Sequence, residues 1–270
     1  MKNSIVVFGS SSSLQTRILI YWLKSFKLKF DFISIKKVSK KNQNNIKIIN
    51  FFLNFKSMMN SGAFKSLSIF HWFTWYLILE RYFNKNHKKI ISLKKRYSEI
   101  SFKPILEVQN INSKKVTAFL KQKNYDYALF ASVPIVNKEN IDKISKFCLN
   151  AHPAPLPECP GGGALEQTIN LGLKPSVSVH IAKEKIDSGD ILHIRQIELE
   201  RDDNFVTITY KLEEMCSITL AQIIKRIIQG EVFQRIKNNG KLNFWKDCTP
   251  DIQIRVRKIL KQTLLNLKAK

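Results

Sequence analysis

The chain has 270 residues, 44% of them hydrophobic, and 45 Lys and Arg against 21 Asp and Glu, a formal net charge of +24. That length suits one large domain, or one domain with an appendage, and the apolar fraction supports a normal core. The four cysteines, Cys148, Cys159, Cys216 and Cys248, form no C-x-x-C pair, and no secretory signal stands at the start. They read as reduced thiols of a cytoplasmic protein rather than as a disulfide framework. The charge is unevenly spread. Residues 1–100 carry 19 Lys and Arg against 3 Asp and Glu, whereas residues 151–200 carry 4 against 7. A basic half suits an anionic partner such as nucleic acid, a phosphorylated substrate or a lipid surface. The plain alternative is the codon bias of an AT-rich genome, which runs such as KKVSKKNQNN and NKNHKK resemble.

The chain opens NSIVVFGSSSSLQTRILIYWLKSF. Ile5 to Phe8 is short, apolar and β-branched, as a buried parallel strand should be. Gly9 and four serines follow, then Leu14, Ile18 and Tyr21 or Trp22 recur at helical spacing. Strand, glycine turn and helix begin a Rossmann-like α/β domain, with backbone N–H groups exposed at the helix start. A single glycine is not the dinucleotide fingerprint, and an ordinary turn with a serine N-cap would read the same way.

Phe30 to Ile35 reads as a second strand. Residues 36–100 are the least readable stretch and are expected to form a basic, aromatic helical insertion. Within it Ser66 to Leu79, SLSIFHWFTWYLIL, carries no formal charge. It is too short for a bilayer span of about 20 residues, so it is expected as a covered helix or one lying on a membrane surface. Ser113 to Lys121 is expected as a helix, Tyr125 to Ser132 as a strand, Asn140 to Lys146 as a short helix and Phe147 to His152 as a strand. Ala164 to Leu171 reads as a helix closed by Gly172. Val177, Val179 and Ile181 alternate with Ser178 and His180 as a strand with one apolar face. Glu213 to Gln229 is expected as a helix, and Arg255 to Lys270 as a final basic one. The expected architecture is α/β, an open and mostly parallel sheet with helices on both faces. Residues 1–230 would be the main domain and 231–270 a short basic extension.

The segment Asn150 to Gly163, NAHPAPLPECPGGG, holds four of the chain's 8 prolines and three of its 9 glycines. It is an irregular loop with a prescribed path, of the kind that carries function on a rigid scaffold. Asn150 and His152 stand two apart at the end of a strand, so both project to one face, and the carboxyl end of a parallel strand is where open α/β sheets place their chemistry. Downstream, KEKIDSGDIL sets Asp187 in a tight turn with Gly189. Amide, imidazole and carboxylate form a usable set: a donor for developing negative charge, a proton exchanger and a group to orient it. Cys159 in the same loop is a conceivable thiol nucleophile but lacks a recognisable base. Spacing alone leaves structural roles open for all of these residues.

N-A-H-P-A-P-L-P, then Gly161 to Gly163 before a helix, then S-V-S-V-H-I and I-D-S-G-D-I-L, closely resembles the folate-dependent formyltransferase family. Its members include glycinamide ribonucleotide, methionyl-tRNA and sugar N-formyltransferases. The resemblance covers about residues 104–195. It implies a catalytic triad at Asn150, His152 and Asp187, with 10-formyltetrahydrofolate as donor, a primary amine as acceptor and no metal. Asn150 and protonated His152 would stabilise the oxyanion while Asp187 holds the imidazole. The donor's pterin would sit against Phe130, Ala131, Ser132 and Val136, and against the Ala182, Lys183, Glu184 and Ile186 loop. Lys185 stands where the family often has glycine, and Glu158-Cys159-Pro160 is an unusual approach to the glycines.

Gly9, Ser11, Ser12 and Ser13 resemble the phosphate loop of the glycinamide ribonucleotide enzymes, which implies a small phosphate-bearing amine or an aminosugar diphosphate as acceptor. Initiator tRNA would use the positive charge, but its enzymes carry a C-terminal β-barrel for which the sequence after Gly230 is too short and too helical. A non-catalytic nucleic-acid or membrane-surface protein, contacting its partner through residues 66–79, is the reading from a different class.

Overall fold

The computed structural model of the protein describes residues 4–36, 80, 87–242 and 248–267. One seven-stranded sheet organises them, built from β1 (Ile5–Gly9), β2 (Asp31–Ile35), β3 (Leu106–Val108), β4 (Tyr127–Ala131), β5 (Phe147–His152), β6 (Ser176–Ile181) and β7 (Ile191–Gln196). The strand order is β3-β2-β1-β4-β5-β6-β7. The first five strands run parallel, and β6 and β7 are antiparallel to their neighbours. The expected open, mostly parallel sheet is the one observed.

Alternation along the parallel strands feeds two apolar layers. Ile5, Val7, Leu129 and Leu149 point into one layer with α1 (Leu14–Ser25), α5 (Ala164–Asn170), α6 (Phe205–Ile228) and α7 (Pro250–Asn266). Val6, Phe8, Ala128, Phe130 and Cys148 point into the other, with α3 (Lys114–Lys123) and α4 (Lys138–Ile141). Successive Cβ atoms of a strand face opposite ways, so β-branched and aromatic residues with no polar alternation mark strands covered on both sides. A further helix, α2 (Lys88–Arg96), stacks Leu93 with the neighbouring Tyr97 on Ile18 of α1. Its N-terminal end is tied by Lys89, which pairs with Glu200, Asp202 and Asp203 at 2.5–3.0 Å.

Several boundaries differ from the sequence expectation. The short helix expected over Asn140 to Lys146 is α4 at Lys138–Ile141. Asn137 caps it by accepting from the Asn140 N–H, and Ser145 and Lys146 donate to the Tyr125 and Asp126 carbonyls, which draws the chain out of helix and into β5. The helix expected from Glu213 starts at Phe205, because Asn204 and Thr207 form a reciprocal capping box. The last helix runs Pro250–Asn266 instead of Arg255 to Lys270. Strands β3 and β7 and helix α2 went unread. The expected helix over Ser66 to Leu79, with most of the 36–100 insertion, lies outside the described residues. Among the described residues no helix is long and apolar enough to cross a membrane.

Candidate active site at the carboxyl edge of the sheet

The junction between parallel and antiparallel strands builds the site. In the β5–β6 ladder Asn150 faces His180 and His152 faces Ser178, so four polar side chains share one side of two neighbouring strands. That face of β6 is buried: Ser178 is 0% and His180 1% exposed. A strand with one apolar face therefore has its polar face covered as well. Ser178 is spent on structure. Its Oγ donates to the Ala154 carbonyl at 2.8 Å and accepts from the Leu156 N–H at 3.0 Å, which fixes the start of the proline-rich loop.

Asp187 comes to this face from the β6–β7 turn. It is one of four non-glycine residues at positive φ among the described residues, at 46°. Its carboxylate lies between the two histidines, with Oδ2 3.2 Å from His152 Nδ1 and Oδ1 3.4 Å from His180 Nε2. The Gly161 N–H donates to Oδ2 at 2.9 Å, and the Asn150 amide Nδ2 is 3.2 Å from His180 Nε2. Asn150, His152 and Asp187 thus belong to one connected cluster, with His180 as the link between Asn150 and the carboxylate. Sequence reasoning left His180 out of the site, although the strand motif contained it. A histidine two residues after a serine on a strand across the ladder from Asn150 was the available signal.

The electrostatics set two opposed demands on His152. Burial pushes its pKa below 6.5, and the Asp187 charge and the Cys159 carbonyl push partly back. Yet both ring nitrogens face acceptors, Nδ1 the Asp187 carboxylate and Nε2 the Cys159 carbonyl at 2.8 Å. Only the imidazolium donates to both. The ring rests neutral with acceptors already placed for the protonated form, which suits a group that gains a proton. For Asp187 burial pushes the carboxyl up, but the His180 hydrogen bond, the two imidazoles and the Gly161 N–H outweigh it and hold the pKa at about 2. The carboxylate is therefore ionised throughout the neutral range.

Cys159 is 1% exposed, and burial raises its thiol pKa. It meets the cluster through its backbone carbonyl, and burial disfavours the thiolate that a nucleophile needs.

Beside this cluster lies a cleft lined by apolar Phe130, Val136, Ile141, Ala182 and Ile186 and by Lys183 and Glu184, which the polar cluster enters through Asn150, His180 and Asp187. Six of the eight residues expected to hold the donor are in this lining. Ala131 and Ser132 are not: Ala131 is 1% exposed and its carbonyl accepts from Thr16 Oγ1 at 3.2 Å, while Ser132 sits in an exposed turn at φ 59°. His152, 6% exposed, also stands outside the lining. The Gly9 to Ser13 turn follows β1, whose Gly9 pairs with Ala131 of β4, so it lies on the same edge of the sheet. There Ser10 Oγ meets Ser12 Oγ at 3.0 Å, and Ser11 Oγ meets Ser34 Oγ at 2.8 Å. No side chain caps the start of α1, and its first turn has no acidic residue. Among the described residues no His, Cys, Asp and Glu cluster is arranged to hold a metal ion.

A family model described as Formyl transferase matches residues 81–224. Among curated proteins, the chain is 25% identical over 146 residues to the methionyl-tRNA formyltransferase of Sulfurihydrogenibium sp., covering 53% of this chain and 47% of that one. It is 27% identical over 143 residues to the methionyl-tRNA formyltransferase of Bacillus licheniformis, covering 52% and 45%. The chain therefore spans about half the length of these relatives. Among solved structures, a sugar N-formyltransferase from Shewanella sp superposes with a TM-score of 0.54 at 15% identity, over 92% of this chain and 78% of that one. The N-formyltransferase from Helicobacter canadensis, solved with folinic acid and dTDP-3-aminofucose, superposes with a TM-score of 0.53 at 13% identity, over 95% and 80%.

Proposed function

Because the chain belongs to the formyl transferase family, we propose that it moves a formyl group from 10-formyltetrahydrofolate to a primary amine of a small, phosphate-bearing acceptor. A glycinamide ribonucleotide-like compound or a nucleotide aminosugar is the acceptor class. The observation that carries this reading is the cluster of Asn150, His180 and Asp187 at the polar end of the cleft, with His152 buried behind the Asp187 carboxylate.

The donor supplies the formyl group as an amide on nitrogen. The residues present fit it: Phe130, Val136, Ile141 and Ala182 offer apolar walls to a flat heterocycle, and the Lys183, Glu184 and Ile186 loop closes one side. The Asn150 amide places an N–H donor where the cleft turns polar, suited to negative charge growing on a carbonyl oxygen under attack, while His180, with Nδ1 on the Ile181 carbonyl and Nε2 beside Asn150 and Asp187, holds that amide in place. His152 rests neutral and accepts a proton into a position where Asp187 and the Cys159 carbonyl already receive it. Asp187 stays ionised, lies against both rings and favours the charged form of His152. The uncapped start of α1 beside the Gly9 to Ser13 turn offers N–H groups and a positive helix end to the acceptor phosphate. The fold neighbour from Helicobacter canadensis holds folinic acid with a nucleotide aminosugar, a pairing of the same kind.

A second reading, transfer to methionyl-tRNA, is favoured by the curated relatives and by the net charge of +24. One experiment separates the two. Purified protein is offered 10-formyltetrahydrofolate with glycinamide ribonucleotide, several nucleotide aminosugars and charged initiator tRNA, and tetrahydrofolate release is followed. Turnover on a small amine supports the first reading and turnover on tRNA alone the second. A folded protein that uses none of them ends both.

A further inference from the structure

The segment after α6 returns to the site. Ile236 pairs with Ile191, the first residue of β7, through two backbone hydrogen bonds of 2.8 and 2.9 Å. Two residues on, the Asn238 side-chain amide donates to the backbone carbonyls of Asp187 and, at 3.3 Å, of Gly189. The amide's own oxygen accepts from the Gly240 N–H at 3.4 Å, which turns Nδ2 toward the two carbonyls. Gly240 in turn lies against the proline-rich loop. A Cβ there would sit 1.9 Å from the Pro157 carbonyl oxygen, so no other residue fits without displacing that loop. One short strap therefore touches both loops that carry the site, and it stands beyond the family-matched residues.

Asp187 needs such a hold. At φ 46° it occupies the left-handed region, where a residue with a side chain pays a conformational cost and persists only if its surroundings fix it. The Gly161 N–H holds the carboxylate, but it does not fix the peptide that aims the carboxylate. Only the Asn238 amide, among the side-chain hydrogen bonds of the described residues, reaches the Asp187 carbonyl.

We propose that Asn238 is a positioning residue: by bonding the Asp187 and Gly189 carbonyls it fixes the turn that holds the Asp187 carboxylate between His152 and His180. The kinetic part rests on the formyl-transfer reading; the geometric part does not. The test uses the full chain with Asn238→Ala and the conservative Asn238→Gln, which keeps the amide donor. NMR titration of the histidine ring signals reads the geometry directly. In Asn238→Ala the ring signals of His152 and His180 shift and the His152 titration is displaced, while the His193 signals stay put, and Asn238→Gln restores part of the native behaviour. On an amine that the native protein formylates, Asn238→Ala lowers kcat about 10- to 100-fold with KM changed less than about 3-fold, as for an interaction made chiefly in the transition state. Added to Asp187→Asn, it costs little more, because both act through one carboxylate. Unmoved ring titrations in a folded Asn238→Ala protein overturn the proposal. If no amine is turned over by the native protein, the formyl-transfer reading fails and the titrations still decide this one. Should the alanine variant melt below the working temperature, Asn238→Ser, too short to reach both carbonyls, is read in its place by the same criteria.

Discussion

Asn150 and His180 face each other across the β5–β6 ladder, with the asparagine amide nitrogen 3.2 Å from the imidazole Nε2. Both line the polar end of the cleft. Asn150→Ala therefore removes an N–H donor from the proposed reacting centre without touching the apolar layers. The expected outcome is a fall in kcat of about 10²- to 10³-fold, the range for loss of one donor to developing negative charge. Steady-state kinetics and a thermal melt check it together. Equal loss of melting temperature and activity would mean the residue is structural.

His152→Ala leaves Asp187 with the His180 ring and the Gly161 N–H but removes the group proposed to take the proton. Turnover should fall at least about 100-fold, the lower part of the range for a positioned acid–base group. Circular dichroism should remain native. Retained turnover would move the proton-accepting role to His180.

The two depressed pKa values give stability a shape in acid. An unfolded histidine takes its proton near pH 6.5 and the folded His152 only below that, so stability falls as the pH drops below about 6.5. Asp187 adds a second limb. Its folded pKa of about 2 against an ordinary 3.8 gives a contribution present above about pH 4 and lost as the pH falls toward 2. That limb is worth about 2 kcal/mol. Urea unfolding at pH 7, 5, 4 and 3 should show the lower limb in the native protein and not in Asp187→Asn. Identical profiles would mean that the carboxylate pays no part in the acid transition.

Gly189 permits the turn that delivers Asp187. A Cβ at this position would lie 1.6 Å from the Ile181 carbonyl oxygen, inside any tolerable contact. Gly189→Ala must push the turn away from β6, at a cost of about 1–3 kcal/mol by analogy with overpacking. Denaturant melts should show that loss, and activity should fall further than stability alone explains. A variant as stable and active as the native protein would contradict the packing described.

Asp203 joins α2 to the start of α6. Its side chain is 0% exposed and receives Lys89 at 3.0 Å, Lys211 at 2.6 Å and the Thr207 hydroxyl at 3.1 Å. Without it Lys89 keeps Glu200 and Asp202, and Lys211 keeps Glu200, so the loss is of the buried acceptor and its charge-assisted hydrogen bonds, and Asp203→Ala should cost about 1–3 kcal/mol. Chemical denaturation checks it. A loss below about 1 kcal/mol would show that Glu200 and Asp202 hold both lysines without it.

Much of the scaffold was legible because buried parallel strands announce themselves. IVVFG and FCLNAH have little polar alternation, and β1 and β5 fall where those runs do. The Asn-x-His pair and the D-S-G turn could be read because motif and strand end coincide. What could not be read depends on contacts distant in sequence. His180 looks like the polar half of an alternating strand, and only the register with β5 turns it into a neighbour of Asn150. The Cys159 carbonyl and the Asn238 amide act through backbone atoms of distant segments, which residue types do not disclose. The start of α6 was missed for a local reason, since Asn204 and Thr207 form a capping box without the usual Glu or Gln. The three-residue β3 is too short for any periodicity to show.

The antiparallel pairing of β5 with β6 carries a consequence for how the protein acquires its activity. Asn150 and His152 arrive on a parallel strand, whereas His180 and Asp187 arrive on a local hairpin closed at its neck by the Ile181 N–H bond to the Asp190 carbonyl. The hairpin joins residues near in sequence, while the parallel ladders join residues far apart, so the two halves form on different timescales. Neither half alone holds the cluster. A slip of one residue between β5 and β6 would turn His180 to the opposite face and send Val179 into its place. In refolding, catalytic activity should therefore return only when this one ladder is aligned, later than helical signal. The site would serve as a built-in reporter of the final docking step.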